Sequence, residues 1–209
     1  MKHQTRVLRQ LACELFTPDE RDALRQVSTS SPLDREGLVE FDRGIGGPSV
    51  ATIASRKLAG GTLNIPGHGV GRYALADRAV FRPLQYCSVW LTSDNENAEW
   101  VTRDIVEMSS AHIEGLVKRI GRLRFLPLGT ALRKAAVKNK IDPTTWGQIS
   151  RFTLIYNEAK HRFDHDKDTH MFSMEDAVLA YFVCRRLGQK LYPLASLSTD
   201  LAVFDGDAS

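Results

Sequence analysis

The segment Ser173-Met-Glu-Asp followed by Val178 to Cys184 (VLAYFVC) constrains the fold more than any other. Ser173 and Asp176 stand three apart, the spacing at which an N-cap hydroxyl and a first-turn acid each satisfy the other's backbone N–H, so a helix is expected to open there. The run that follows has no polar side. A helix that is apolar nearly all round has to be enclosed by other elements, and the rest of the chain must supply them.

Helical periodicity supplies them from Tyr73 onward. YALADRAVFRPLQYCSVWL reads as a helix that Pro83 should kink or restart. A second helix, roughly 95–121, carries Val101, Ile105, Met108, His112 and Leu116 on one face. A short basic helix is expected over about 128–139. Asp142-Pro143 then caps a long helix to about Phe163, with the stripe Trp146, Ile149, Phe152, Tyr156, Ala159 and Phe163. Upstream, residues 1–27 read as two short helices, the second opened by Thr17-Pro18-Asp19-Glu20. Eight of the fifteen glycines fall between Gly44 and Gly71, so residues 28–71 read as loops. A small hairpin with SVATIASRKL and TLNI around Ala59-Gly60-Gly61 is the one strand pattern there. The expectation is an all-α, up-and-down bundle of four to five helices with an irregular, glycine-rich N-terminal third. It divides into 1–72, the bundle 73–193, and a tail 194–209.

At 209 residues, with 43% hydrophobic and 25% charged residues, the chain has enough apolar surface for a sizeable core. Its N-terminus has no continuous apolar stretch, so neither a signal peptide nor a membrane span is expected, and the chain reads as cytoplasmic. Cys13, Cys87 and Cys184 are odd in number, far apart and set among apolar neighbours, which is the pattern of reduced core thiols. A net charge of +3 says little about a nucleic-acid partner, but its distribution says more. Between Glu114 and Asp142 lie eight bases, Lys118, Arg119, Arg122, Arg124, Arg133, Lys134, Lys138 and Lys140, and no acid. They form a candidate nucleic-acid-binding surface.

The glycine-rich Gly67 to Arg72 (GHGVGR) lacks both the Gly-Lys-Ser/Thr ending of a P-loop and the spacing of a dinucleotide fingerprint, and reads as a linker. His112 lies inside its helix's apolar stripe and reads as a core imidazole bonded to a neighbour. Residues 156–176 gather three histidines and many acids. Asp164, Asp166, Asp168 and Glu175 occupy positions 1, 3, 5 and 12 of a calcium loop, but Thr169 stands where that loop requires a left-handed backbone. His161, His165 and His170 could face a zinc ion, yet no cysteine or hydrolase glutamate accompanies them. No tightly bound metal and no cofactor are expected. On a helix, Asn157 and His161 share a face with Ser150 and Leu154, away from the apolar stripe.

A late bundle helix carrying Tyr156-Asn157-Glu158-Ala159-Lys160-His161, then a loop and an apolar last helix, resembles the HEPN superfamily over about residues 73–193. Those are all-helical domains, many of them metal-independent RNases, with an Arg-polar-x(3 to 5)-His motif. The resemblance implies a nucleic-acid- or partner-binding helical protein of the kind found in toxin–antitoxin or phage-defence modules. It implies His161 as general acid/base, Asn157 orienting it, Lys160 on the phosphate, and a homodimer through the Asn157/His161 face. Tyr156 stands where the motif has arginine, and a phenol offers a phosphate neither the charge nor the bidentate fork. Weak or absent RNase activity is therefore expected. Three other readings stay open: an active metal-independent RNase, a protein-interaction module that touches no nucleic acid, and a metal-stabilised helical regulator.

Overall fold

The computed structural model describes residues 2–45, 75–92, 101–123, 125–161 and 172–195, with the backbone alone for 75–79 and 161. All regular structure in these residues is helical, so the chain is all-α. The helices are α1 (His3–Leu15), α2 (Pro18–Thr29), α3 (Arg35–Gly44), α4 (Leu75–Thr92), α5 (Thr102–Gly121), α6 (Leu128–Arg133), α7 (Ala135–Lys138), α8 (Pro143–His161) and α9 (Met174–Leu191), closed by a 3-10 turn, Tyr192–Leu194. No described helix is long and apolar enough to cross a membrane.

The terminal chemistry matches the sequence at three places. Thr17 and Glu20 form a reciprocal capping box on α2, and Ser173 and Asp176 form another on α9. Asp142 Oδ1 accepts the Thr145 N–H at 2.9 Å at the start of α8. Helix α4 continues through Pro83 as one element. The basic helix expected over 128–139 is instead two pieces, because Lys134 takes an extended backbone (ψ 135) between α6 and α7.

Residues 28–71 are not all loop. Asp34 accepts the Gly37 N–H and caps α3, whose Leu38 and Phe41 are buried. Glycine frequency hid a helix that ends where the glycine-rich run begins. The expected hairpin and the Gly67 to Arg72 motif lie outside the described residues.

Helix α9 is enclosed as its composition requires. It packs against α1, α2, α5 and α8, and α5 in turn packs against α4 and α8. Every residue from Asp176 to Arg185 is buried. Gly188 permits a close approach, since a Cβ there would lie 2.9 Å from Tyr192 Oη and 3.0 Å from His112 Nε2. The N-terminal helices share this core: the Phe41 ring meets Phe182 edge-on at 4.8 Å and Phe16 at 6.0 Å. Arg186 extends the tie. It pairs with Glu20, donates to the Ile45 carbonyl at 3.1 Å, and lies 5.2 Å from the Phe16 ring centre.

An ion pair lies within this core. Arg185 and Asp42 are 1% and 0% exposed and meet at 2.9 Å, and the Tyr181 hydroxyl donates to the same Asp42 oxygen at 3.4 Å. Burial opposes the arginine's charge, but Tyr181 and Asp42 outweigh it and its pKa is raised. Nearby, His112 Nδ1–H donates to the Val80 carbonyl at 2.7 Å, leaving Nε2 to accept from Tyr192 Oη at 3.1 Å. Both contacts suit the neutral ring, and burial pushes the His112 pKa down to about 4. Cys87 and Cys184 are buried, and burial raises both thiols, Cys87 to about 12. Cys13 departs from the expected core position: it lies on the outer side of α1 and is exposed.

Removing one member of the buried pair leaves the other uncompensated, so Asp42→Leu or Arg185→Met alone should cost about 3–5 kcal/mol, read from the urea midpoint at constant slope. The double variant should recover much of that loss. His112 sets a separate pH dependence. Its folded pKa lies below the ordinary 6.5, so the unfolded chain binds the extra proton. The His112 contribution is full above about pH 6.5 and is lost as pH falls through about 4, a change of roughly 3 kcal/mol. Stability curves of wild type and His112→Gln should therefore differ in slope between these pH values and run parallel above them.

Candidate functional site

Two groups of sequence-selected residues meet where α5 and α8 pack together. On α8, the buried face of Ile149, Phe152, Tyr156 and Ala159 is widened by Thr153 and Ile155, which the simple stripe did not include. Leu154, Asn157 and Lys160 are exposed on the other side, and Ser150 is half-buried with its hydroxyl donating to the Trp146 carbonyl. His161 is the last residue of α8. Phe163, the acids at 164, 166 and 168, and His165 and His170 lie outside the described residues. Among the described residues, no cluster of histidine, cysteine and acid is arranged to hold a metal.

Tyr156 occupies the inward position that the helix stripe assigns it. It is 6% exposed, and its hydroxyl donates to Glu114 Oε2 of α5 at 2.9 Å. Burial, then Glu114, raise its pKa above the ordinary phenol value, so it stays protonated. Lys160 Nζ lies 3.3 Å from the same hydroxyl and 5.3 Å from the ring centre. Glu114 Oε1 in turn binds Lys118 Nζ at 2.5 Å. A continuous polar chain, Lys160–Tyr156–Glu114–Lys118, therefore joins the Asn157 face to the basic stretch. Sequence reading missed Glu114 as the link, although it stands four residues before Lys118 on the same helix face.

The same end of α8 receives an arginine from elsewhere. Arg103, on α5, donates from Nε to the Ala159 carbonyl at 2.5 Å, satisfying one of the carbonyls a helix end leaves open. Among the described residues it brings a guanidinium to the end of the Asn157–His161 helix, and no spacing in the sequence announces it.

The basic residues gather around the C-terminal end of α5. Arg122 takes a left-handed backbone (φ 54), with its N–H on the Arg119 carbonyl at 3.0 Å and the Leu123 N–H on the Lys118 carbonyl at 2.7 Å. Lys140 reaches back to the Ile120 carbonyl at 2.9 Å. A Cβ on Gly121 would lie 2.5 Å from Val137 of α7, so the two helices touch there. Lys138 lies 5.7 Å from the Trp146 ring centre. Arg122, Arg133, Lys134, Lys138 and Lys140 are exposed, Lys118 and Arg119 are half-buried, and Arg124 lies outside the described residues. Among the described residues, no acid pairs with those five exposed bases. In the loop between α5 and α6, Leu123 and Leu126 pack on the core while Phe125 is 93% exposed.

No family model matches the chain, and neither a curated protein nor a solved structure matches it. The chemistry of the site therefore rests on its own residues. Among the described residues it offers exposed cations without acid partners, an aromatic ring in water, and a buried phenol.

Proposed function

We propose that this is a nucleic-acid-binding helical protein, HEPN-like in its motif, that holds RNA through the basic end of α5 and the α6–α7 segment and has weak or no RNase activity. The observation that carries this reading is the set of five exposed bases, Arg122, Arg133, Lys134, Lys138 and Lys140, with no acid paired to them among the described residues. Exposed cations without acid partners are those that can neutralise phosphates and release counterions. The resemblance extends the proposal to a toxin–antitoxin or phage-defence module, and the N-terminal sequence to a cytoplasmic location.

Catalysis is the weaker part of the resemblance because of where Tyr156 sits. Its hydroxyl is held by Glu114 and Lys160, and it is neither charged nor open to a phosphate. Asn157 and Lys160 are exposed and could contact RNA beside His161.

A second reading draws on Leu154, which is 55% exposed on the same face as Asn157. An exposed leucine beside polar neighbours suits a protein contact, including a homodimer of this chain or an unrelated partner. Sedimentation of wild type and Leu154→Glu separates it from RNA binding: a dimer lost in the variant while RNA retention persists would assign that face to protein.

RNA retention should fall steeply with salt, and Lys134→Glu/Lys138→Glu should shallow the log–log slope by about one to two, as loss of two phosphate contacts requires. A wild type that retains no RNA at low salt would overturn the proposal. Incubated with total RNA in EDTA, wild type should cleave little, and His161→Ala should not change the pattern. Robust metal-independent cleavage that the variant loses would instead make the chain an active RNase.

A further inference from the structure

We infer that the loop joining α5 to α6 selects single-stranded over double-stranded nucleic acid, with Phe125 stacking on an unpaired base and Arg122 contacting the adjoining phosphate. The inference rests on the nucleic-acid reading above and goes beyond it in substrate class and in the residues that set it.

Phe125 is 93% exposed, the highest of the exposed large hydrophobic residues among those described, while Leu123 and Leu126 on either side of it pack against the core. The loop is thus anchored at both flanks and leaves one aromatic ring in water. A large apolar surface kept in water forgoes the stabilisation that burial would give, and the packing of the described residues does not cover it. An unpaired base has an open π-face that can cover such a ring, whatever the base. In a duplex the bases are already stacked on one another and present no such face.

Arg122 provides an independent observation. The left-handed position after a helix is where glycine is favoured, because a Cβ there meets the following carbonyl. Arg122 is the one non-glycine residue with positive φ among the described residues. Its side chain is exposed and no acid binds it among those residues. Backbone strain carried by an exposed cation, three positions from an exposed aromatic ring, is the pairing a strand needs: charge for the phosphate and a flat surface for the base.

A membrane surface would also accept cations and a phenylalanine. It fits less well, because Leu128, Ala131 and Leu132 of α6 and Val137 of α7 are buried in the core, leaving no apolar helix face to insert beside Phe125.

The test is fluorescence anisotropy at low salt with labelled oligouridine and with a labelled RNA duplex of the same strand length. Wild type should bind oligouridine more tightly than duplex. Phe125→Ala should weaken oligouridine binding by about 5- to 100-fold with little change for the duplex, and Phe125→Trp should restore it. Arg122→Gly should weaken both probes yet raise the melting temperature by roughly 2–4 °C, which excludes misfolding as the cause. Equal binding of both probes, unaffected by Phe125→Ala, would overturn the inference while leaving electrostatic binding intact. Binding of neither probe would overturn both. Phe125-dependent binding to anionic phosphatidylserine vesicles, with none to oligouridine, would assign the loop to a lipid surface and sink the inference.

Discussion

The ion pair between Arg185 and Asp42 is the constraint on which the rest of the fold depends. Helix α9 can be buried on all sides only if the one guanidinium that its packing encloses finds a carboxylate inside the protein. That carboxylate comes from α3, more than a hundred residues earlier in the chain. The demand therefore reaches across the sequence and makes the N-terminal helices part of the same core as α4, α5, α8 and α9. Arg186, the next residue, repeats the tie outside the core through Glu20 and the end of α3. Two successive arginines thus tie one helix to the N-terminal helices, one inside the core and one at its edge.

Much of the helical content was legible because it is written in local chemistry. Capping boxes at Thr17/Glu20 and Ser173/Asp176, the Asp142-Pro143 start, and the all-apolar run from Val178 to Cys184 each depend on residues a few positions apart. What escaped depends on distant partners. Arg185 follows the apolar run and reads like the solvated end of a helix. Its burial is decided by Asp42, which sits in a stretch whose glycines suggest loop. Lys134 breaks the basic helix through its own backbone, although none of its neighbours is a breaker. Cys13 shows the reverse error, since apolar neighbours in sequence did not place its thiol on the buried side of α1.

The candidate site was legible in its parts rather than in its connections. Helical periodicity is enough to turn Tyr156 inward and Asn157 outward, and the acid-free interval after Glu114 marks the basic stretch. The link between them, through Glu114, and the arrival of Arg103 at the end of α8 are products of α5 and α8 packing side by side. Phe125 drew no notice because a phenylalanine in sequence is read as core. Only the positions of Leu123 and Leu126 reveal that it faces away.

The anchoring of that loop has a consequence for the thermodynamics of anything that binds it. The Schellman turn at Arg122, the Lys140 contact with the Ile120 carbonyl and the two inward leucines hold Arg122, Leu123 and Leu126 beside Phe125 while the chain folds. The configurational entropy of those residues is lost at that stage, before any encounter. A ligand that covers the ring has only side chains left to immobilise, which places the loop in the preorganised class, where contact area is converted to affinity with little ordering penalty.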